Sequence, residues 1–176
     1  MKSQFLIWAE QNGWHIAYEG FGRAVHPAVT QRYPHFPEEY ADFIDGLAEC
    51  ITPDETAWFL TADNFEPKPE DQFRWDECER ISLEAADGDE DIIRDVTAFW
   101  DKHLPIFMNV ANGYEYYAYR MDDGKIVMGY EPEFEDSAEV AADSFEDFLN
   151  QIMNGKNINK KSLHCGKVFA ILNADK

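Results

Sequence analysis

Two dipeptides in the second half of the chain constrain the fold more than any other feature. Asn112-Gly113 and Asp123-Gly124 each stand between runs in which apolar residues alternate. Ile106, Met108 and Val110 come before the first, an aromatic run from Tyr114 to Met121 lies between them, and Ile126, Met128 and Tyr130 follow the second. Asn-Gly and Asp-Gly tolerate positive φ, which tight hairpin turns require, so the three runs read as an antiparallel meander.

Helical patterns surround this meander. Phe5, Trp8 and Ala9 form a short stripe that Asn12-Gly13 closes, and Trp14, Ile16 and Tyr18 then alternate as a half-buried strand ending at Gly20. The stretch through His26-Pro27 and Tyr33-Pro34 has no period and is expected to be a loop, because proline pushes the residue before it out of helical geometry. Pro37 opens a helix with Glu38 and Glu39 in its first turn, and Phe36, Tyr40, Phe43, Ile44 and Leu47 follow at helical spacing, with Cys50 on the same stripe. Thr56 to Leu60 reads as an aromatic strand, and residues 64–71, with Pro67 and Pro69, as a loop.

Trp75, Cys78, Ile81 and Ala85 predict a helix stopped by Gly88, and Ile92, Ile93, Val96, Phe99 and Trp100 predict another with a buried stripe. His103 closes that second helix, where a cation suits the negative end of the dipole. Ser144 caps a last helix, with Asp147 in the capping-box position and Phe145, Phe148, Leu149, Ile152 and Met153 as its apolar face. The expected fold is therefore α+β, a central antiparallel β-sheet (meander) flanked by α-helices, and not a doubly wound α/β sheet.

Residues 1–153 are expected to form a single domain. Residues 151–176 hold five Lys and one acid, so residues 1–150 carry ten basic and thirty-four acidic groups, a balance of −24. The basic C-terminal extension, residues 154–176, is expected to pack on the acidic body, with Val168, Phe169, Ile171 and Leu172 as a terminal strand.

A net charge of −20 argues against direct nucleic-acid binding, which needs Lys and Arg to displace phosphate counterions. An anionic membrane surface is disfavoured for the same reason. A basic protein partner is the electrostatic complement, and simple solubility is the plain alternative. Cys50, Cys78 and Cys165 have neither disulfide-framework nor zinc-ligand spacing. Glu10 interrupts the first apolar run too early for a signal peptide, and no stretch approaches the ~20 apolar residues of a membrane span, so cytoplasmic residence is expected.

The order Leu104-Pro105-Ile106-Phe107, Gly113-Tyr114-Glu115-Tyr116-Tyr117, Gly124-Lys125-Ile126-Val127 and Ser144-Phe145-Glu146-Asp147-Phe148-Leu149 resembles the SUKH superfamily, the Smi/Knr-like group. Phe36-Pro37-Glu38-Glu39-Tyr40 resembles the early helix of that family, and the likeness covers roughly residues 33–153. That helix commonly runs into an Asn-Gly-type turn, whereas this chain is read as continuing Leu47-Ala48-Glu49-Cys50 into Ile51-Thr52-Pro53. The resemblance implies helices against one sheet. It also implies a role in binding another protein, often a toxin, without catalysis.

No nucleophile elbow, P-loop, HExxH or dinucleotide fingerprint occurs, so neither a catalytic residue nor a cofactor is expected. Asp87-Gly88-Asp89-Glu90-Asp91 lacks the EF-hand pattern, and no metal is expected there. Glu131, Glu133, Glu135 and Asp136 follow the most aromatic strands, which places steering charge beside the anchoring ring of Tyr130. Tyr130, Glu131, Glu133, Glu135 and Asp136 are thus the candidate partner-binding residues. The reading is an immunity-type protein that neutralises a toxin by direct association. A regulatory scaffold without a toxin partner and a small carboxylate-dependent hydrolase remain as alternatives.

Overall fold

The computed structural model describes residues 1–69 and 71–155. Their order is α1 (Lys2–Gln11), β1 (His15–Tyr18), α2 (Pro27–Arg32), α3 (Glu38–Ile44), β2 (Leu47–Ile51), β3 (Ala57–Phe59), α4 (Glu77–Ala85), α5 (Glu90–Trp100), β4 (His103–Asn109), β5 (Glu115–Arg120), β6 (Ile126–Tyr130), β7 (Glu139–Ala142) and α6 (Phe145–Met153). The strands form one antiparallel sheet in sequence order, β1 to β7. This is the α+β meander expected. Both hairpin glycines take positive φ, +101° at Gly113 and +76° at Gly124.

Pairing in β4 to β6 sets two faces. Phe59, Phe107, Tyr117 and Met128 stand in one cross-strand row, and Trp58, Met108, Tyr116 and Gly129 in the next. Successive strand residues point to opposite faces. The first row meets α6, with the Tyr117 and Phe148 rings 4.9 Å apart. Phe59 packs 4.8 Å from Phe107 and 4.7 Å from Phe43 of α3, and 5.6 Å from Phe5 of α1. The second row meets α5, where Tyr116 lies 4.8 Å from Trp100. Helices therefore cover both faces of the central strands, so Phe107 and Met108 are buried alike. Each large side chain so buried contributes roughly 1.5–3 kcal/mol.

Several expectations fail for local reasons. Residues 27–32 form a helix: Pro27 sits in its first turn, where no N–H is needed, and the His26 ring accepts from Ala28 N at 3.2 Å. Leu47 and Cys50 belong to β2 and not to the preceding helix, because α3 ends at Ile44 and Gly46, at φ +78°, turns the chain. The early helix therefore does not continue into Leu47-Ala48-Glu49-Cys50, because Asp45-Gly46 turns the chain first. Ile92 is exposed, leaving Val96 and Trp100 as the buried stripe of α5.

Pro105 lies inside β4, tolerated where the ladder with β5 shifts register between Pro105 and Phe107. The edge strand β7 carried too short an apolar run to be read. At the start of α6, Ser144 Oγ accepts from Asp147 N as expected, but the Asp147 carboxylate takes the amide of Asp143, one residue earlier than a capping box. The expected strand at Val168 to Leu172 lies outside the described residues, as does Cys165.

Candidate partner-binding surface

The acidic loop at 131–138 joins β6 to β7 and is seated on glycine. A methyl group on Gly129 would stand 2.4 Å from Phe134 O and 2.6 Å from the Tyr116 hydroxyl. Only a residue without a side chain lets the loop close down there. The Tyr116 hydroxyl donates to Phe134 O at 2.9 Å, and Phe134 is wholly buried. Glu131 N donates to Tyr114 O at 2.8 Å while its carboxylate accepts from Tyr114 N, and Ser137 Oγ accepts from Tyr130 N.

The structure divides the candidate residues. Glu135 turns inward: Trp100 Nε1 donates to Oε1 at 2.5 Å and Ser82 Oγ donates to Oε2 at 3.0 Å, tying the loop to α5 and α4. Glu131 is exposed but holds the Tyr114 amide. Glu133 and Asp136 are exposed. Tyr130, 43% exposed, pairs with Glu115 in the row that continues Phe107 and Tyr117, so it lies on the α6 face while Glu135 reaches the α4–α5 face.

The other tyrosines of β5 are occupied. Tyr116 and Tyr117 are buried, and burial pushes both phenols well above their usual range. Tyr119 donates to Glu39 Oε1 at 3.1 Å, and partial burial together with that carboxylate pushes its phenol up to about 12. The second acidic run is spent locally: Asp89 caps α5 by accepting from Asp91 N and Ile92 N, and Asp91 holds Arg94 at 2.7 Å.

The electrostatics follow from how the ten basic groups of residues 1–150 are used. Arg32 spans Glu79 and Asp101, Arg23 spans Glu19 and Asp63, and Arg74, Arg80, Arg94, Arg120, Lys102 and Lys125 each hold an acid of this chain. Lys2 donates to the carbonyls of Asp42 and Asp45. Arg120 draws the Asp123 carboxyl down to about 2. With the cations so engaged, the surplus of carboxylates remains for whatever approaches.

The buried carboxylates Glu77 and Glu79 are each held by an arginine, at 2.6 Å from Arg80 and from Arg32. His103 sits in β4 with Nδ1 2.7 Å from Phe99 O, the last turn of α5, as a capping group would. Its ring stacks 4.0 Å from that of Phe99, and burial holds its pKa below the usual value, against the cation expected from the dipole. Among the described residues no three His, Cys, Asp or Glu gather closely enough to hold a metal ion, and no helix is long and apolar enough to cross a membrane.

Sequence reasoning missed a groove of about 470 Å³ between β2, β3 and residues 63–68 and 72–73, lined by Ile51, Trp58, Asn64, Lys68, Gln72 and Phe73 among others. Pro67 and Pro69 mark that segment as a loop, but nothing local shows that it rides over Trp58.

A family model described as SMI1-KNR4 cell-wall, of the SUKH group, matches residues 34–149, more than half of the chain. The match opens before α3 and closes within α6, taking in β2 to β7 and the 131–138 loop. Searches of curated proteins and of solved structures found no match.

Proposed function

The chain belongs to the SUKH superfamily, in its SMI1-KNR4 family, and from that premise we propose that it is a cytoplasmic, non-enzymatic protein-binding domain that neutralises a basic toxin by direct association. Residues 1–153 act as one domain in this reading. The observation that carries it is the distribution of charge: nearly every cation of residues 1–150 is engaged within the chain, so the acid excess is free to steer a basic partner. Glu133, Asp136 and the exposed ring of Tyr130 are the contact residues, with Glu131 beside them. Glu135 contributes by fixing the loop.

The experiment is co-purification of the partner from the native host, followed by association kinetics with Glu133→Gln/Asp136→Asn. Association should slow roughly tenfold at low salt, and the difference should shrink as salt shortens the screening length to below about 8 Å. An association rate equal to that of the parent protein at low salt would falsify the steering role of this loop. The family description, cell-wall, favours a second reading, a regulatory scaffold with no toxin partner. A co-purified partner that is harmless when expressed alone would select it.

A further inference from the structure

The groove on β2 and β3 has a chemistry of its own. The two strands share one cross-strand pair, Ile51 with Trp58. Beyond it the backbone leaves the ladder: Thr61 N donates to Asn64 Oδ1 at 2.8 Å, and only the Thr61 hydroxyl still reaches Ala48 O, at 2.9 Å. The chain then runs back over the sheet on the face that carries Trp58, where Phe73 meets the Trp58 ring edge to face at 5.2 Å. Helices α4 and α5 cover this face over β4 and β5, so the space beneath residues 61–69 and 71–73 stays open.

Its charges come close to cancelling, unlike the acid excess of the whole molecule. Two acids line the groove and both are answered: Glu49 Oε2 lies 2.9 Å from His15 Nε2, and Asp63 is paired with Arg23. Lys68 lines it too, and among the described residues it is the one Lys or Arg with neither a carboxylate nor a carbonyl partner. In a chain with thirty-five acids and fifteen Lys and Arg, a cation left unpaired beside an apolar wall asks for an anion from outside.

We propose that this groove docks an extended peptide segment of a protein partner, in which a carboxylate side chain meets Lys68 and a neighbouring apolar side chain fills the space against Ile51, Trp58 and Phe73. The volume falls within the ~300–1,000 Å³ of ordinary ligand clefts. The aromatic pair forms a stepped wall, not the flat platform on which a sugar ring stacks, and this favours a peptide. The proposal rests on the reading of the domain as a protein binder and adds a contact of opposite charge. In sheet order the groove lies at the far end from the 131–138 loop.

The test uses the full chain, isotope-labelled, titrated with acetyl-Phe-Glu-Leu-amide, with acetyl-Phe-Lys-Leu-amide and with maltotetraose. The Glu peptide should move the amide signals of Ile51, Lys68 and Gln72 and the Trp58 indole signal, and bind up to about fivefold more tightly than the Lys peptide, the upper worth of one exposed charge pair. Lys68→Glu should reverse that order and Lys68→Gln should abolish it, both with the spectrum otherwise unchanged. The proposal is overturned if the Glu peptide moves signals elsewhere or none at all, or if Lys68→Glu leaves the order intact. It also fails if the sugar moves these signals and the peptides do not. Because no partner is present, any of these failures leaves the acidic-loop reading standing. Loss of steering at Glu133 and Asp136 would likewise leave the groove untouched.

Discussion

Replacing Gly129 by alanine adds one methyl group to β6, and the structure states what that group would meet. Its Cβ would lie 2.4 Å from Phe134 O, 2.6 Å from the Tyr116 hydroxyl and 2.7 Å from Tyr116 Cε1. Backbone oxygen and a wholly buried ring cannot both give way without moving the 131–138 loop. Overpacking of this kind costs about 1–3 kcal/mol. Losing the Tyr116–Phe134 hydrogen bond, 2.9 Å in the parent, adds about 1 kcal/mol. The expected loss is roughly 2–4 kcal/mol, read as a lower urea midpoint with an unchanged slope and a Tm drop of about 4–16 °C.

Gly20→Ala is the control, since nothing lies within 4 Å of its added methyl group, and it should change stability by less than about 0.5 kcal/mol. Tyr116→Phe in the Gly129→Ala background removes the hydroxyl conflict but not the one with Phe134 O, so it should recover part of the loss and no more. Two mutations in contact are expected to be non-additive. If Gly129→Ala melts within 2 °C of the parent, the loop is not seated as described and the reasoning fails.

Two further expectations concern single side chains. Glu135→Ala strands the Trp100 indole N–H and the Ser82 hydroxyl and should cost about 1–3 kcal/mol in urea melts, whereas Glu133→Ala should stay within about 0.5 kcal/mol; equal effects would refute the division between inward and outward carboxylates. His103 is held below the ordinary imidazole pKa by burial first, with Arg120 and Lys102 pushing the same way and Phe99 O and Asp122 opposing. Its folded value lies below its unfolded one, so the unfolded chain binds the proton more readily. The stability it confers is therefore complete above about pH 6.5 and is lost as pH falls from there through the folded value. His103→Gln should flatten the Tm-against-pH curve in that window, and an unchanged slope would count against the assignment.

What the sequence made legible follows the range of the interactions. The hairpins at Asn112-Gly113 and Asp123-Gly124 and the stripes of α5 and α6 are local patterns, and they could be read from neighbours alone. The helix at Pro27 was hidden because its signals, a first-turn proline and a histidine cap, resemble those of a loop. Cys50 and Leu47 read as helical in the sequence because the apolar spacing runs on past the Asp45-Gly46 turn.

The candidate loop was legible as acidic, but the use of its carboxylates was not. The partners of Glu135 are Trp100 and Ser82, 35 and 53 residues away in sequence. The split of Tyr130 and Glu135 between two faces depends on strand register, which composition does not carry. The groove depends on a contact of the same kind, since Phe73 and Trp58 meet although they stand fifteen residues apart in sequence.

The strand order has a kinetic side. In a meander each strand pairs with the next in the chain, and four of the six joints here close over short connections. The exceptions are β1 with β2, which waits for the segment bearing α2 and α3, and β3 with β4, which waits for the long excursion through α4 and α5. The entropy of closing a loop grows as about 3/2 RT times the logarithm of its length, so a connection ten times longer costs roughly 2 kcal/mol more. The search for the native state is thus concentrated at the Phe59–Phe107 and Ala57–Asn109 pairings. The aromatic centre of the molecule, where Phe59 meets Phe107, thus belongs to the strand pair that must be joined across the longest connection.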